Sequence, residues 1–137
     1  MTFREATDAD CPRLAELNHQ LIRDEGHRNP MTVAQLEQRM RGWLASDYRA
    51  VLFERDGTAA GYALFRNELE YVYLRQFYVR PEFRRQRIGR AAIEWLVANA
   101  WTAAERIRIE VLAGNAAGIA FWRAVGFHDY ALTMERE

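Results

Sequence analysis

The chain contains no lysine; all nineteen basic residues are arginine. A lysine nucleophile, a Schiff base and self-acetylation on lysine are therefore excluded. The single Cys11 excludes an intrachain disulfide, which suits a reducing compartment. Nineteen acidic residues balance the arginines, so a general role on nucleic acid or on a membrane surface is not expected. No signal-peptide pattern and no long uncharged apolar run appears, and the expected location is the cytoplasm. Repeats, low-complexity tracts and linkers are also missing. What is present is 137 residues, half of them hydrophobic and 12% aromatic, enough for one globular domain over 1–137 with a real core.

One stretch organises the rest. A β-rich run, Tyr71 to Val79, leads into Arg80-Pro81-Glu82-Phe83-Arg84-Arg85-Gln86-Arg87, and an apolar helical pattern leaves from Ile88 towards Trp101. A loop that turns a strand into a helix presents free backbone N–H groups at the first helical turn. Those groups and the helix dipole favour an anion, so the stretch reads as a phosphate or pyrophosphate cradle. No Gly-Lys-Ser/Thr follows it, which excludes a P-loop, and G-x-G-x-x-G is absent.

Around this stretch the chain divides into short elements. Thr2 to Ala6 reads as an edge strand. Thr7 and Asp10 have capping-box spacing, and Leu14, Leu17, Asn18 and Leu21 follow a helix that ends near Gly26. Gly26 and Pro30 bracket a polar break. Thr32 and Gln35 open a second helix with Val33, Leu36, Met40, Trp43 and Leu44 on one face. Arg49 to Glu54 and Ala59 to Phe65 read as a hairpin about Asp56-Gly57. With Tyr71 to Val79 they form an antiparallel meander. Ile88, Ala91, Ala92, Trp95 and Leu96 mark the inward face of the next helix. Arg106 to Val111 alternates as a half-buried strand does, and a right-handed crossover would lay it parallel to Tyr71–Val79, splayed where the pair reaches a cleft. Asn115 starts a last helix, Gly126 closes it, and Phe127 to Met134 is expected to be a final strand on which a second copy can pair as a homodimer.

The motif Gln86-x-x-Gly89-x-Ala91 after a strand ending at Val79 resembles the hallmark of the GNAT superfamily of acyl-CoA-dependent N-acetyltransferases. The run from Asn115 through Phe121-Trp122 to Gly126-Phe127 is similar to the family's second motif. The resemblance spans Tyr71 to Phe127, and the order of elements before it agrees. It implies an α/β (α+β) fold: a mixed, mostly antiparallel twisted sheet flanked by about four helices and splayed between the central strands. It implies acetyl-CoA as co-substrate and no metal. By that resemblance, Arg84, Arg85, Gln86, Arg87, Ile88, Gly89, Arg90 and Ala91 hold the pyrophosphate. Phe77, Tyr78 and Val79 bond the pantetheine arm, and Asn115, Ala117, Phe121 and Trp122 flank the pantetheine and thiol. Family members often have glycine where this chain has Arg85 and Arg87; these side chains either reach phosphate or point to solvent.

Amide formation from an amine and a thioester needs a neutral amine, a fixed donor for the developing oxyanion and a departing thiolate. The family often places a tyrosine acid where Trp122 stands, and an indole N–H donates a hydrogen bond but is no acid. Tyr78, Tyr73 or Tyr130 can stand in, or the thiolate leaves with only a hydrogen bond or a water, since a thiol of pKa ~8.5 is a tolerable leaving group. No base is obvious on the Tyr71–Val79 strand or at Glu68 and Glu70. In the GNAT layout the connection between the first two helices borders the acceptor pocket. The resemblance therefore implies that the polar break offers Asp24, Glu25, His27 and Asn29 as an acceptor site, with Glu25 and His27 as catalytic candidates because an imidazole can accept a proton near neutrality. Tyr73 shares a strand face with Tyr71, which faces either the core or the cleft, and Tyr73 joins the acceptor-site candidates. The expected function is acetyl transfer from acetyl-CoA directly to a primary amine of a small molecule. The alternatives are a protein lysine or N-terminal acceptor, or a non-catalytic acyl-CoA-binding module.

Overall fold

A computed structural model describes residues 1–137. Five strands form one sheet in the order of the chain: β1 (Thr2–Glu5), β2 (Tyr48–Arg55), β3 (Thr58–Asn67), β4 (Val72–Val79) and β5 (Ile107–Ile109). The first four pair antiparallel, and β5 lies parallel to β4. Helices α1 (Cys11–Glu25) and α2 (Val33–Leu44) cover one face; α3 (Ile88–Asn99) and α4 (Ala116–Ala124) cover the other.

The local signals act where the spacing puts them. The Thr7 amide donates to the Asp10 carboxylate (2.8 Å), and a short 3-10 turn leads into α1. Thr32 and Gln35 exchange both hydrogen bonds of their box, at 3.2 and 2.9 Å. Gly26, at φ 74°, ends α1 in the left-handed conformation that glycine tolerates best. Leu14, Leu17 and Leu21 of α1 pack with Leu36 and Met40 of α2 against Leu52, Tyr62 and Leu64 of the sheet. On the other face Ile88, Ala92, Ile93 and Leu96 of α3 pack with Phe53, Phe65, Leu74 and Phe77.

Two features of β4 set up the cleft. The β3 pair Leu64 and Phe65 faces Gln76 and Leu74, which leaves Arg75 as the extra residue of a bulge. A bulge re-aims the side chains beyond it. Leu74 and Phe77, three apart, both join the α3–α4 core, while Tyr78 joins the α1–α2 core. The second feature is the short β5. It meets β4 only at Val72–Ile107, Tyr73–Arg108 and Leu74–Ile109. Beyond Leu74, β4 runs on to Val79 with no strand on that side, so the pair opens at the carboxyl end of β5.

Two expectations are corrected. The strand expected over Arg106–Val111 is confined to Ile107–Ile109, because the chain leaves β4 where the cleft opens. The final strand expected over Phe127–Met134 does not form: the segment is irregular, with Tyr130, Leu132 and Met134 at least 73% exposed. Alternating apolar residues make a strand only against a partner edge, and no strand of this sheet pairs with them.

Candidate active site

The opening between β4 and β5 is one end of a cavity of about 890 Å³. It is lined by β4 (Tyr73 to Val79), the end of β5 (Ile109 to Val111), the arginine loop, α4 and the end of α1 with the loop after it.

At one end the main chain dominates. After Val79 the chain makes a short 3-10 turn over Pro81–Phe83 and enters α3 through residues 84–87. Arg85 and Arg87 both have left-handed backbones (φ 63° and 61°). Such alternation turns successive N–H groups towards one side and makes an anion-binding concavity. The amides of Arg85 through Arg90 have no acceptor within the protein. A left-handed non-glycine residue costs roughly 1–2 kcal/mol, so the loop holds this shape against local preference.

Behind the loop stands a group of aromatic rings. Phe77 stacks on Phe121 (centroids 5.9 Å apart), and Trp122 meets Phe77, Phe121 and Phe127 edge-on at 4.9 to 5.1 Å. Gly89 is part of this arrangement. A β-carbon there would lie 2.9 Å from Cε1 of Phe121, so the glycine lets α3 approach α4. That is a second reason for glycine at this position, beside the approach of a ligand. Asn115 caps α4 by accepting from the Gly118 amide at 3.0 Å.

At the other end side chains dominate, and most are paired. Asp24 binds the Arg84 guanidinium, which also donates to the Val79 carbonyl at 3.0 Å. The loop after α1 is thereby tied to the arginine loop. Glu25 contacts the His27 imidazole at 2.9 Å. Tyr73 donates to Glu110 at 2.8 Å; burial first, and then that carboxylate, push its hydroxyl up to about 12. Burial, followed by Asp24, also raises the Tyr78 hydroxyl.

The cavity therefore gathers Asp24, Glu25, His27, Asn29 and Tyr73 from the expected acceptor set. It gathers Phe77, Tyr78, Val79, Arg84, Arg85, Arg87, Ile88, Gly89, Arg90, Asn115, Ala117, Phe121 and Trp122 from the expected cofactor set. Two expected residues lie outside it. The Gln86 side chain turns back to Arg55 and to the Glu82 carbonyl, and Ala91 sits one turn into α3, its amide bonded to the Arg87 carbonyl. Tyr130, considered as an acid, stands away on the irregular tail, its hydroxyl accepting from Arg108 at 3.4 Å. Tyr71 lies outside the cavity under the Arg108 guanidinium, so the face it shares with Tyr73 reaches the cleft only at Tyr73.

Glu110, Arg39 and Arg75 were missed. Glu110 follows the last residue of β5 at the opening. The alternation Arg106-Ile107-Arg108-Ile109-Glu110 hinted at it, because it puts Glu110 on the face of Arg106 and Arg108, opposite the isoleucines. No group of three His, Cys, Asp or Glu able to hold a metal ion occurs in the structure. No helix is long and apolar enough to cross a membrane.

The acetyltransferase (GNAT) family profile matches residues 11–127, and the chain belongs to that family. It is a GNAT acetyltransferase, of the acyl-CoA-dependent kind. No curated protein matches it. Solved structures with the same fold include a predicted acetyltransferase of Clostridium acetobutylicum with acetyl-CoA (17% identity, 99% of this chain and 95% of that one, TM-score 0.79). Another is the aminoglycoside 6'-N-acetyltransferase AAC(6')-IG of Acinetobacter haemolyticus (19%, 100% and 97%, 0.80). A third is a ribosomal-protein-alanine N-acetyltransferase of Brucella melitensis (16%, 100% and 100%, 0.78).

Proposed function

We propose that residues 1–137 form one cytoplasmic enzyme domain that moves an acetyl group from acetyl-CoA directly to a primary amine of a small molecule. The observation that carries this reading is the row of amides from Arg85 to Arg90, free of protein acceptors, beside a cavity that Glu110 also lines. Those amides and the α3 dipole suit a diphosphate. Arg85, Arg87 and Arg90 line the same end and add charge-assisted donors. Acetyl-CoA supplies the activated acyl group.

The residues of the chain then do three things. Beyond Leu74, β4 pairs with β3 on one edge and has no strand on the edge facing the cleft, where a backbone amide can serve as the fixed donor for the oxygen that gains charge. Glu110, oriented by Tyr73, takes the proton of the attacking amine as the C–N bond forms and the C–S bond breaks. Trp122 offers the departing sulfur at most a hydrogen bond, and no tyrosine takes its place on α4. A thiolate of ordinary acidity leaves without an acid. Direct transfer is favoured because Cys11 is fully buried on α1 and burial raises its thiol. Relatives of this fold that are named for aminoglycosides and for ribosomal-protein alanine show that the fold alone does not choose between small and protein acceptors. We favour the small one because the polar groups of several elements converge on one cavity, with Asp24, His27, Arg75 and Glu110 exposed along its rim.

Coenzyme A thiol release is measured with acetyl-CoA and a panel of primary amines, beside acetyl-CoA titration by calorimetry. At least one amine is acetylated, and Glu110→Gln lowers kcat about 10²–10⁴-fold while acetyl-CoA affinity stays within twofold. Binding without turnover on any amine would replace this reading with a non-catalytic acyl-CoA module. A failure to bind would overturn the cleft assignment itself.

A further inference from the structure

The acceptor end of the cleft holds two arginines without a counter-ion. Arg39 of α2 and Arg75 of the β4 bulge both line the cavity. Neither belongs to any ion pair of the protein. Their guanidinium carbons lie 4.4 and 4.8 Å from the centroid of the same indole, Trp43, so two like charges share one ring. The carboxylates of this end are engaged elsewhere: Asp24 with Arg84, Glu25 with His27, Glu110 with Tyr73.

The partners that these arginines do have are neutral. Arg39 donates to the Asn18 carbonyl oxygen at 3.1 Å, and Arg75 to the Tyr48 hydroxyl at 3.3 Å. Asn18 is fully buried and its amide nitrogen has no acceptor; the Arg39 Nε is buried without one as well. Burial first, and then Arg75, lower the Arg39 pKa. Arg39 is half-buried, and a partly desolvated cation beside another cation is costly unless something in the site neutralises it. A guanidinium is also the side chain best shaped for a forked contact with a carboxylate or phosphoryl group.

We propose that Arg39 and Arg75 seat an anionic oxygen group of the acceptor, so that the substrate is an amine that also carries a carboxylate or a phosphoryl group. This rests on the function proposed above and names the class of its acceptor. The spacing along β4 supports it. Arg75 is two residues from Tyr73, whose hydroxyl bonds Glu110, so the seat for the anion and the carboxylate that receives the amine lie side by side. An amino acid presents both groups within a few bonds. Stacking on Trp43 alone would explain where the arginines sit but would give no preference among acceptors.

The test uses matched pairs with acetyl-CoA: L-leucine and isoamylamine, L-phenylalanine and phenethylamine, L-lysine and cadaverine, O-phosphoethanolamine and ethanolamine. In at least one pair the anionic member has a kcat/KM higher by about tenfold or more, the scale of a hydrogen bond to a charged group. Arg39→Gln and Arg75→Gln each collapse that ratio towards one. Preference within the amino-acid pairs identifies a carboxylate; preference for phosphoethanolamine identifies a phosphoryl group. Arg75 is exposed, so its variant keeps the test valid if loss of Arg39 unfolds the chain. The inference is overturned if no anionic member is preferred in any pair, including the case where none reacts, or if the ratio survives Arg75→Gln. Acetyl-CoA binding, measured alongside, separates the outcomes: its loss in the unaltered protein sinks the proposed function, whereas its presence without an acid preference sinks only this inference.

Discussion

At the helix end of the cleft the protein offers its main chain, and at the far end it offers side chains held in pairs. The amides of Arg85 to Arg90 are presented by backbone shape, two left-handed residues and a helix start. Asp24–Arg84, Glu25–His27 and Tyr73–Glu110 are assembled from α1, the loop after it, the arginine loop, β4 and the end of β5. A main-chain site depends on where the chain turns and tolerates many side chains. A side-chain site depends on which residue stands at each place. The first suits a ligand part shared by a whole family; the second suits a part that differs from member to member.

This contrast is open to attack at its strongest point. Gly89→Glu adds bulk where a β-carbon already meets Phe121 at 2.9 Å, and it adds negative charge beside the free amides. Acetyl-CoA binding should fall more than a hundredfold in calorimetry, with far-UV circular dichroism retained. Affinity within threefold of the unaltered protein would mean that the helix start is not the diphosphate site.

Gly61 tests the same end by a different route. A β-carbon there would sit 2.0 Å from the Tyr78 carbonyl oxygen, so β3 can approach the end of β4 only without a side chain. Gly61→Ala should destabilise the fold by about 1–3 kcal/mol in urea, as overpacking does, and weaken acetyl-CoA binding as Tyr78 and Val79 shift. An unchanged urea midpoint would show that the strand edge gives way more easily than the geometry suggests.

The same division explains what could be read before the structure. The hairpin at Asp56-Gly57, the Thr32–Gln35 box and the loop from Val79 to Ile88 are local patterns, and each is legible because its cause lies within a few residues. Glu110, Arg39 and Arg75 were not legible. Each is an ordinary charged residue in its own segment and gains meaning only from distant neighbours. Arg75 depends on a bulge whose register is set by β3, and Glu110 on the place where β5 parts from β4. The irregular tail failed for the converse reason: Tyr130, Leu132 and Met134 alternate as a strand would, but alternation names a face and not the edge that must pair with it.

At the side-chain end a smaller effect is expected. His27→Ala, which leaves Glu25 without its 2.9 Å partner, should raise the acceptor KM about three- to tenfold and leave the acetyl-CoA KM unchanged. A change in both constants would show that the two ends are not separable, and the Asp24–Arg84 contact is the physical link through which they would be joined.

The smallest effect separates the fold from the chemistry. Activity and stability will both vary with pH, and a fall in rate at low pH can come from unfolding as well as from protonation in the cleft. Arg4 and Asp10, away from the cavity, set part of the fold's own share. Hydrogen bonds from Arg4 hold the Asp10 carboxyl below its ordinary value of 3.8. The folded state therefore favours the charged carboxylate. Its contribution is full above that ordinary value and is lost as pH falls through the lower, folded one. Arg4 is half exposed and also pairs with Glu54 at 2.7 Å, and solvent screening limits its two contacts together to roughly 0.5–2 kcal/mol. Arg4→Gln should lower urea stability by that amount at pH 7 and by progressively less below pH 4, with the rate profile of the remaining folded enzyme unmoved. A shift of that profile would connect the N-terminal strand to the cleft and blur the line between its two ends.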